Sequence, residues 1–193
     1  MSTPRRFRWS ALLASAATLA LLLAMRESMP NYNARMAPIV ERGAPGEYVH
    51  GRRFAARVTA VETARMLRFA HSGTPDSVEQ RDSSGVWLIV QASAMAVQEP
   101  TLIGSAAILT RDGRRYEQSG RLYNAPATLA ARELQAGVAS AGVLIFELPV
   151  DALAGAWLAL AANRIDPLDS ELQIDLALAA PPLPREFYDL VRP

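Results

Sequence analysis

Between residues 47 and 180 apolar and polar positions alternate with a period of two more clearly than with any helical period, and most of that stretch reads as strands. Phe54, Ala56, Val58 and Ala60 share one face, against Ala55, Arg57 and Thr59 on the other. Residues 86–97 are entered through Ser83-Ser84-Gly85 and closed by Gln98-Glu99-Pro100. They are apolar on both faces, which places them centrally in a sheet. Residues 103–110 and 114–118 flank Arg111-Asp112-Gly113, and Asp-Gly between two such runs predicts a hairpin because it tolerates positive φ. Residues 141–148 make a further strand stopped by Pro149, and 157–162 another. The last, 171–178, puts Leu172, Ile174, Leu176 and Leu178 on one face and Glu171, Gln173 and Asp175 on the other, the pattern of a half-buried strand.

About six or seven short strands joined by short links predict an all-β chain, an immunoglobulin-like antiparallel β-sandwich. The rival pattern lies at 124–135, where Ala, Leu, Arg and Glu favour one short helix or an Ala-rich connection. Ala180-Pro181-Pro182-Leu183-Pro184 ends regular structure and opens a Pro-rich tail, 181–193, whose residues 185–192 suit one short helical turn.

Ahead of the body the pattern changes. Arg5, Arg6 and Arg8 precede residues 9–25, which carry no charge and as a helix rise about 26 Å. Arg8 and Arg26 can snorkel at the two ends, and Trp9 suits an interface. A cleaved signal peptide shares this design but needs small residues after the run, and Leu23-Ala24-Met25-Arg26 does not supply them. The reading is therefore an uncleaved transmembrane signal anchor at 9–25, preceded by a basic cytoplasmic segment, 1–8, and followed by a tether, 26–46, rich in turn formers. The Arg excess before the span sets the N-terminus inside and the rest outside the cytoplasmic membrane. The bilayer is the first expected partner.

Composition narrows the function classes. Half of the 193 residues are hydrophobic, enough for a packed core, but only 7% are aromatic. The formal charge of +1 supplies no drive toward nucleic acid, so a nucleic-acid partner is not expected. With no cysteine there is no disulfide, thiolate metal site, Cys nucleophile or lipid-modified Cys. All 20 basic residues are Arg, which together with the Ala and Pro content suggests a GC-rich bacterial source.

In order along the chain, Val58-Thr-Ala-Val-Glu62, the apolar strand at 86–97, Leu109-Thr-Arg-Asp-Gly-Arg-Arg-Tyr116, Glu133-Leu-Gln-Ala-Gly137 and Val143-Leu-Ile-Phe-Glu-Leu-Pro149 resemble the telokin-like, immunoglobulin-like domains of bacterial secreted and membrane-anchored proteins. The resemblance covers most of residues 54–178. It departs at Ala136-Gly137, where the family has Pro-Gly, and at Val97-Gln98, where it has Asn. The resemblance implies a sandwich and brings no catalytic residue, which favours binding over catalysis.

The candidate chemistry is thin. His50 and His71 are the only histidines and lack further ligands at matching spacing, so both read as solvated. Asp166, Asp169 and Glu171 sit in an acidic turn without the spacing of a calcium loop. No Gly-x-Ser-x-Gly, His-Glu-x-x-His or phosphate-cradling loop occurs, and no Ser has a His-acid partner, so an enzyme is not expected and no cofactor is implied. Arg111, Arg114, Arg115 and Arg121 cluster around the hairpin and could meet lipid headgroups or a partner's carboxylates, against the alternative of a charged edge that blocks aggregation. Trp87 and Trp157 read as sandwich core.

The functional expectation is a non-enzymatic accessory or protein-interaction subunit of a bacterial envelope complex, partnered with another envelope or membrane protein. The alternative is a binder of a small or lipidic ligand held between the sheets, in space left by Ala92, Ala94 and Ala106.

Overall fold

A computed structural model describes residues 9–28, 37–71, 74–122, 128–163 and 169–190, and within the first of these the side chains from 13 to 27. The chain divides into two units, Met1–Ala37 and Pro38–Pro193. In the first, helix α1 spans Trp9–Ser28, running through Arg26 and Glu27 past the expected end at 25. The expected transmembrane span is not shown: among the described residues no helix is long and apolar enough to cross a membrane.

The second unit is a β-sandwich. Its strands are β1 (Ile39–Gly43), β2 (Val49–His50), β3 (Phe54–His71), β4 (Thr74–Ala96), β5 (Ser105–Leu109), β6 (Arg115–Glu117), β7 (Ser140–Leu148), β8 (Trp157–Ala161), β9 (Ser170–Asp175) and β10 (Arg185–Asp189). One sheet has the order β1-β9-β8-β5-β6 and the other β10-β3-β4-β7, with β2 added beside β3. Alternation along β4 builds the interior, because Val86, Leu88, Val90, Ala92 and Ala94 all face the core. They meet Leu144, Phe146 and Leu148 of β7 and, across the gap, Ile108, Leu158, Leu160, Leu172 and Ile174 of the other sheet. The central placement expected for 86–97 is what the pairing shows, with β3 on one side and β7 on the other. Ala92, Ala94 and Ala106 are packed into this interior.

The Asp-Gly hairpin forms as expected between β5 and β6, with Gly113 at φ 83°. Elsewhere the backbone departs from the pattern. Residues 39–43, expected in the tether, are strand β1, paired in parallel with β9. Its side chains are mostly exposed and only its main chain is engaged, so no alternation announces it. The tail also returns as a strand, since β10 pairs in parallel with β3 where a helical turn is expected. The sandwich is thus not wholly antiparallel: both terminal strands join in parallel. The helix expected at 124–135 is a single 3₁₀ turn, Leu129–Ala131, followed by bridging turns, with 124–127 outside the described residues. Leu129 and Leu134 are fully buried there, so core contacts outweigh helix propensity.

The β3–β4 hairpin is much longer than its apolar runs. Its ladder shifts register between Val58 and Ala60, between Ala64 and Met66 and between Ala70 and His71, and each shift bends the ribbon. The arm beyond Ala64 returns over the outer face of its own sheet, where Leu67 and Phe69 are fully buried against Trp87, Ile89, Leu122 and Ile145. Trp87 therefore belongs to a second core and not to the sandwich interior, and its indole N–H donates to the Arg81 carbonyl at 3.0 Å. Trp157 is only half-buried, and the Arg42 guanidinium lies 6.0 Å from its ring.

Candidate functional site

The outer face of the β10-β3-β4-β7 sheet is covered unevenly. Near the start of β3, Tyr48 crosses it, its hydroxyl 3.1 Å from Ser93 Oγ and its ring 4.8 Å beneath the Arg57 guanidinium. At the other end lies the folded-back arm with its second core. Between them remains a groove of about 360 Å³. That is the low end of the roughly 300–1,000 Å³ usual for ligand clefts.

The groove is built from four strands' worth of side chains. Thr59 of β3, Gln91 of β4 and Val143 and Ile145 of β7 line it because the period of two turns them all outward. Tyr188, Asp189 and Leu190 at the end of β10 close one wall, and Arg132 stands at another. Gln91 Nε2 donates to Glu62 Oε1 at 3.2 Å and to the Tyr188 hydroxyl at 3.4 Å. Glu62 is held in turn by Arg185 at 2.6 Å, which ties the start of β10 to β3. Arg132 Nη1 donates to the Ala141 carbonyl at 3.0 Å, and this fixes the guanidinium over the edge of β7. Gly142 allows this approach, since a Cβ there would sit 3.1 Å from that of Leu129. The result is an apolar floor with an amide, a phenol, a guanidinium and a carboxylate around it. It can take an apolar group and offer hydrogen bonds to whatever polar atoms flank that group.

These residues are not the ones the sequence singles out. Gln91 carried a signal, being the first polar residue after Trp87 and Ile89 on the outward row of a central strand. Arg132, Val143 and Tyr188 carried none, because they come together only when the arm and β10 fold over.

The four arginines expected as one surface are separated. Arg111 is exposed on the hairpin turn. Arg114 pairs with Asp112 at 2.7 Å, approaches Asp151 at 3.8 Å and donates to the Tyr116 hydroxyl at 3.0 Å. Arg115 points the other way, to Glu117 at 3.1 Å and Glu171 at 2.9 Å. Arg121, in the 3₁₀ turn Gly120–Leu122, lies against the other sheet, paired with Glu147 at 2.7 Å and 5.6 Å over the Trp87 ring. Neighbours in an extended segment face opposite ways, so sequence proximity did not make a patch.

The acidic turn resolves similarly. Asp169 is buried, 3.4 Å from Arg53, and accepts from the Ser170 N–H at 2.8 Å. Glu171 is held by Arg115, and Asp166 lies outside the described residues. Among the described residues no group of three metal-ligating side chains is placed to hold an ion. His50 is exposed, 6.4 Å from the Tyr48 ring, and the side chain of His71 lies outside the description.

No protein-family model matches the chain. No curated protein matches it in sequence. Three solved structures are similar in backbone. An uncharacterized β-sandwich protein from Clostridium difficile 630 aligns at TM-score 0.48 and 9% identity over 77% of this chain and 99% of its own. The yjhA protein from Bacillus subtilis gives TM-score 0.45 and 14% identity over 68% and 99%. MPT63, a secreted protein from Mycobacterium tuberculosis, gives 0.45 and 16% over 71% and 98%. Likeness at this level is one of outline, and it carries neither the telokin-like assignment nor any ligand. The fold rests on the chain's own two sheets and the core between them: a β-sandwich, similar in outline to these bacterial proteins.

Proposed function

We propose that this protein is a membrane-anchored recognition domain, an accessory subunit that holds a segment of another envelope protein in the outer groove of its β-sandwich. The observation that carries the reading is the groove itself, whose floor of Val143 and Ile145 is ringed by Gln91, Tyr188, Arg132 and Asp189. Paired donors and acceptors around an apolar floor suit an extended peptide, which brings main-chain polar groups together with an apolar side chain. The apolar sequence at 9–25 supports anchoring. The ordered motifs at 58–62, 109–116 and 143–149 support a telokin-like, immunoglobulin-like domain of the secreted and anchored bacterial kind. The absence of catalytic motifs from the sequence favours binding over catalysis.

A second reading, a small or lipidic ligand, is favoured by the volume of the same groove. One experiment separates the two. Tagged full-length protein is extracted from native membranes in mild detergent, beside a Val143→Trp variant whose indole fills the groove, and co-purifying protein and lipid are identified by mass spectrometry. A stoichiometric protein present with the wild type and lost with the variant supports the accessory role. A bound lipid or metabolite lost in the same way supports the second reading, and an unchanged profile rejects both. Orientation is checked separately with a reporter fused after Pro193, which should be active only outside the cytoplasm.

A further inference from the structure

The polar groups around the groove are not equally engaged. Gln91 commits its amide N–H groups to Glu62 and to the Tyr188 hydroxyl, at 3.2 and 3.4 Å, and the Thr59 hydroxyl donates to the Gln91 carbonyl at 3.1 Å. Asp189 lies 3.9 Å from the Arg68 guanidinium, so its charge is answered within the domain. Arg132 differs. Its guanidinium donates to the Ala141 carbonyl at 3.0 Å and meets no carboxylate among the described residues. The same side of the sheet holds a second such cation. Arg57, Ser93 and Ala141 stand in register across β3, β4 and β7, and Arg57 Nε is buried without a hydrogen-bond partner while its guanidinium stacks on Tyr48. A cation left unanswered beside an apolar floor favours a ligand that brings an anion.

Spacing specifies more than charge alone. The Arg132 guanidinium is held at Ala141, and the apolar floor begins at Val143, two residues further along β7. That separation is about 6.8 Å along the strand, the distance between side chains two positions apart on one face of any extended chain. A segment lying over β7 with Val, Leu or Ile on the Val143–Ile145 floor therefore brings the side chain two positions away to Arg132. The planar guanidinium presents its remaining donors as a fork, which a carboxylate matches with both oxygens.

We propose that the groove recognises an extended acidic segment of its partner, in which Asp or Glu stands two positions from Val, Leu or Ile, with the apolar side chain on Val143 and Ile145 and the carboxylate on Arg132. The inference rests on the groove reading above and gives its ligand a chemistry. Arg57, one strand beyond Ser93, adds to the positive field, so binding weakens as salt rises.

Full-length protein in mild detergent is panned against a displayed library of random heptapeptides, beside Val143→Trp and Arg132→Glu. Arg132 is exposed, so its variants do not depend on core packing. The wild type should enrich peptides with Asp or Glu two positions from Val, Leu or Ile. Val143→Trp should enrich none of them, and Arg132→Glu should replace the acid by Lys or Arg. Arg132→Gln keeps an amide N–H for the Ala141 carbonyl and should bind the most enriched peptide, synthesised with a fluorophore, about tenfold more weakly than the wild type. Exchanging the peptide's acid for its amide should cost the same, and both changes together no more. A motif that Val143→Trp abolishes but that lacks the acid, or an acid that survives Arg132→Glu, overturns the carboxylate contact and leaves the groove a peptide site. Enrichment that Val143→Trp does not alter means that the groove holds no peptide, and both readings fall. If no peptide is enriched while calorimetry finds sodium dodecanoate bound to the wild type and not to Val143→Trp, the acidic segment is overturned in favour of a lipidic anion.

Discussion

Tyr188 pairs in register with Leu67, yet its hydroxyl lies 3.4 Å from the amide of Gln91, whose own partner on the same strand is Ala60. Along a straight strand those two register positions would stand about 23 Å apart. The contact closes because β3 bends at its bulges and carries β10 back over the sheet. Tyr188→Phe should cost about 0.5–1.5 kcal/mol, the value of one hydrogen bond. Tyr188→Ala should cost about 2–3 kcal/mol, since it also uncovers the second core. Urea unfolding of the full chain, followed by tryptophan emission, checks both. Equal, negligible effects would mean that β10 does not cover the sheet.

The arm is a structural layer and not a solvated extension, so its apolar residues should matter as much as those between the sheets. Leu67→Ala and Leu158→Ala should each destabilise by about 2–5 kcal/mol, because both side chains are fully buried. Leu67→Ala should in addition red-shift the emission of Trp87, which packs in the same cluster, and Leu158→Ala should not. A near-zero cost for Leu67→Ala is the outcome that contradicts a second core.

Asp112 sits at the tip of the β5–β6 hairpin. The Thr110 hydroxyl donates to its carboxylate and, together with the charge and hydrogen bonds of Arg114, holds it below its usual value of 3.8. A depressed folded value means that the stabilisation is present above the unfolded value and lost as pH falls through the folded one. NMR titration should find the Asp112 carboxyl below 3.8, and Thr110→Val should raise it. Asp112→Asn should flatten the stability profile only on the acid side, below about pH 4. An unchanged acid limb would show that the turn's hydrogen bonds do not distinguish the two protonation states.

Two glycines are demanded by approach rather than by φ. A Cβ on Gly85 would collide with the Leu148 carbonyl, and one on Gly104 with that of Ala162, both main-chain atoms that cannot swing aside. Gly85→Ala and Gly104→Ala should therefore each cost about 1–3 kcal/mol in thermal or denaturant unfolding. Gly120→Ala meets open space and should stay within about 0.5 kcal/mol. A Gly85→Ala protein as stable as the wild type would place the start of the β4 apolar run differently.

How much was legible follows from which forces write themselves into a linear pattern. Strands buried on one or both faces announce themselves by alternation, and so β4, β7, β8 and β9 were readable from Val86, Val143, Trp157 and Leu172 onward, as was the Asp112-Gly113 turn with its positive φ. Edge strands held by main-chain bonds do not. Ile39–Gly43 and Arg185–Asp189 show little alternation because their side chains are largely exposed, and their parallel partners are distant in sequence. The groove was almost wholly unreadable, apart from Gln91.

Period and composition act locally, and from them alone follow a two-sheet β-sandwich core and an apolar N-terminal helix preceded by arginines. Folding in three dimensions is what doubles the long hairpin back, anchors Trp87 in a second core outside the sandwich and disperses Arg111, Arg114, Arg115 and Arg121. It also brought Gln91, Arg132, Val143 and Tyr188 around one groove. Each of these depends on where bulges bend a strand and which exposed edge a terminal segment finds. Those choices are settled by contacts between residues far apart in the chain, which no local pattern records.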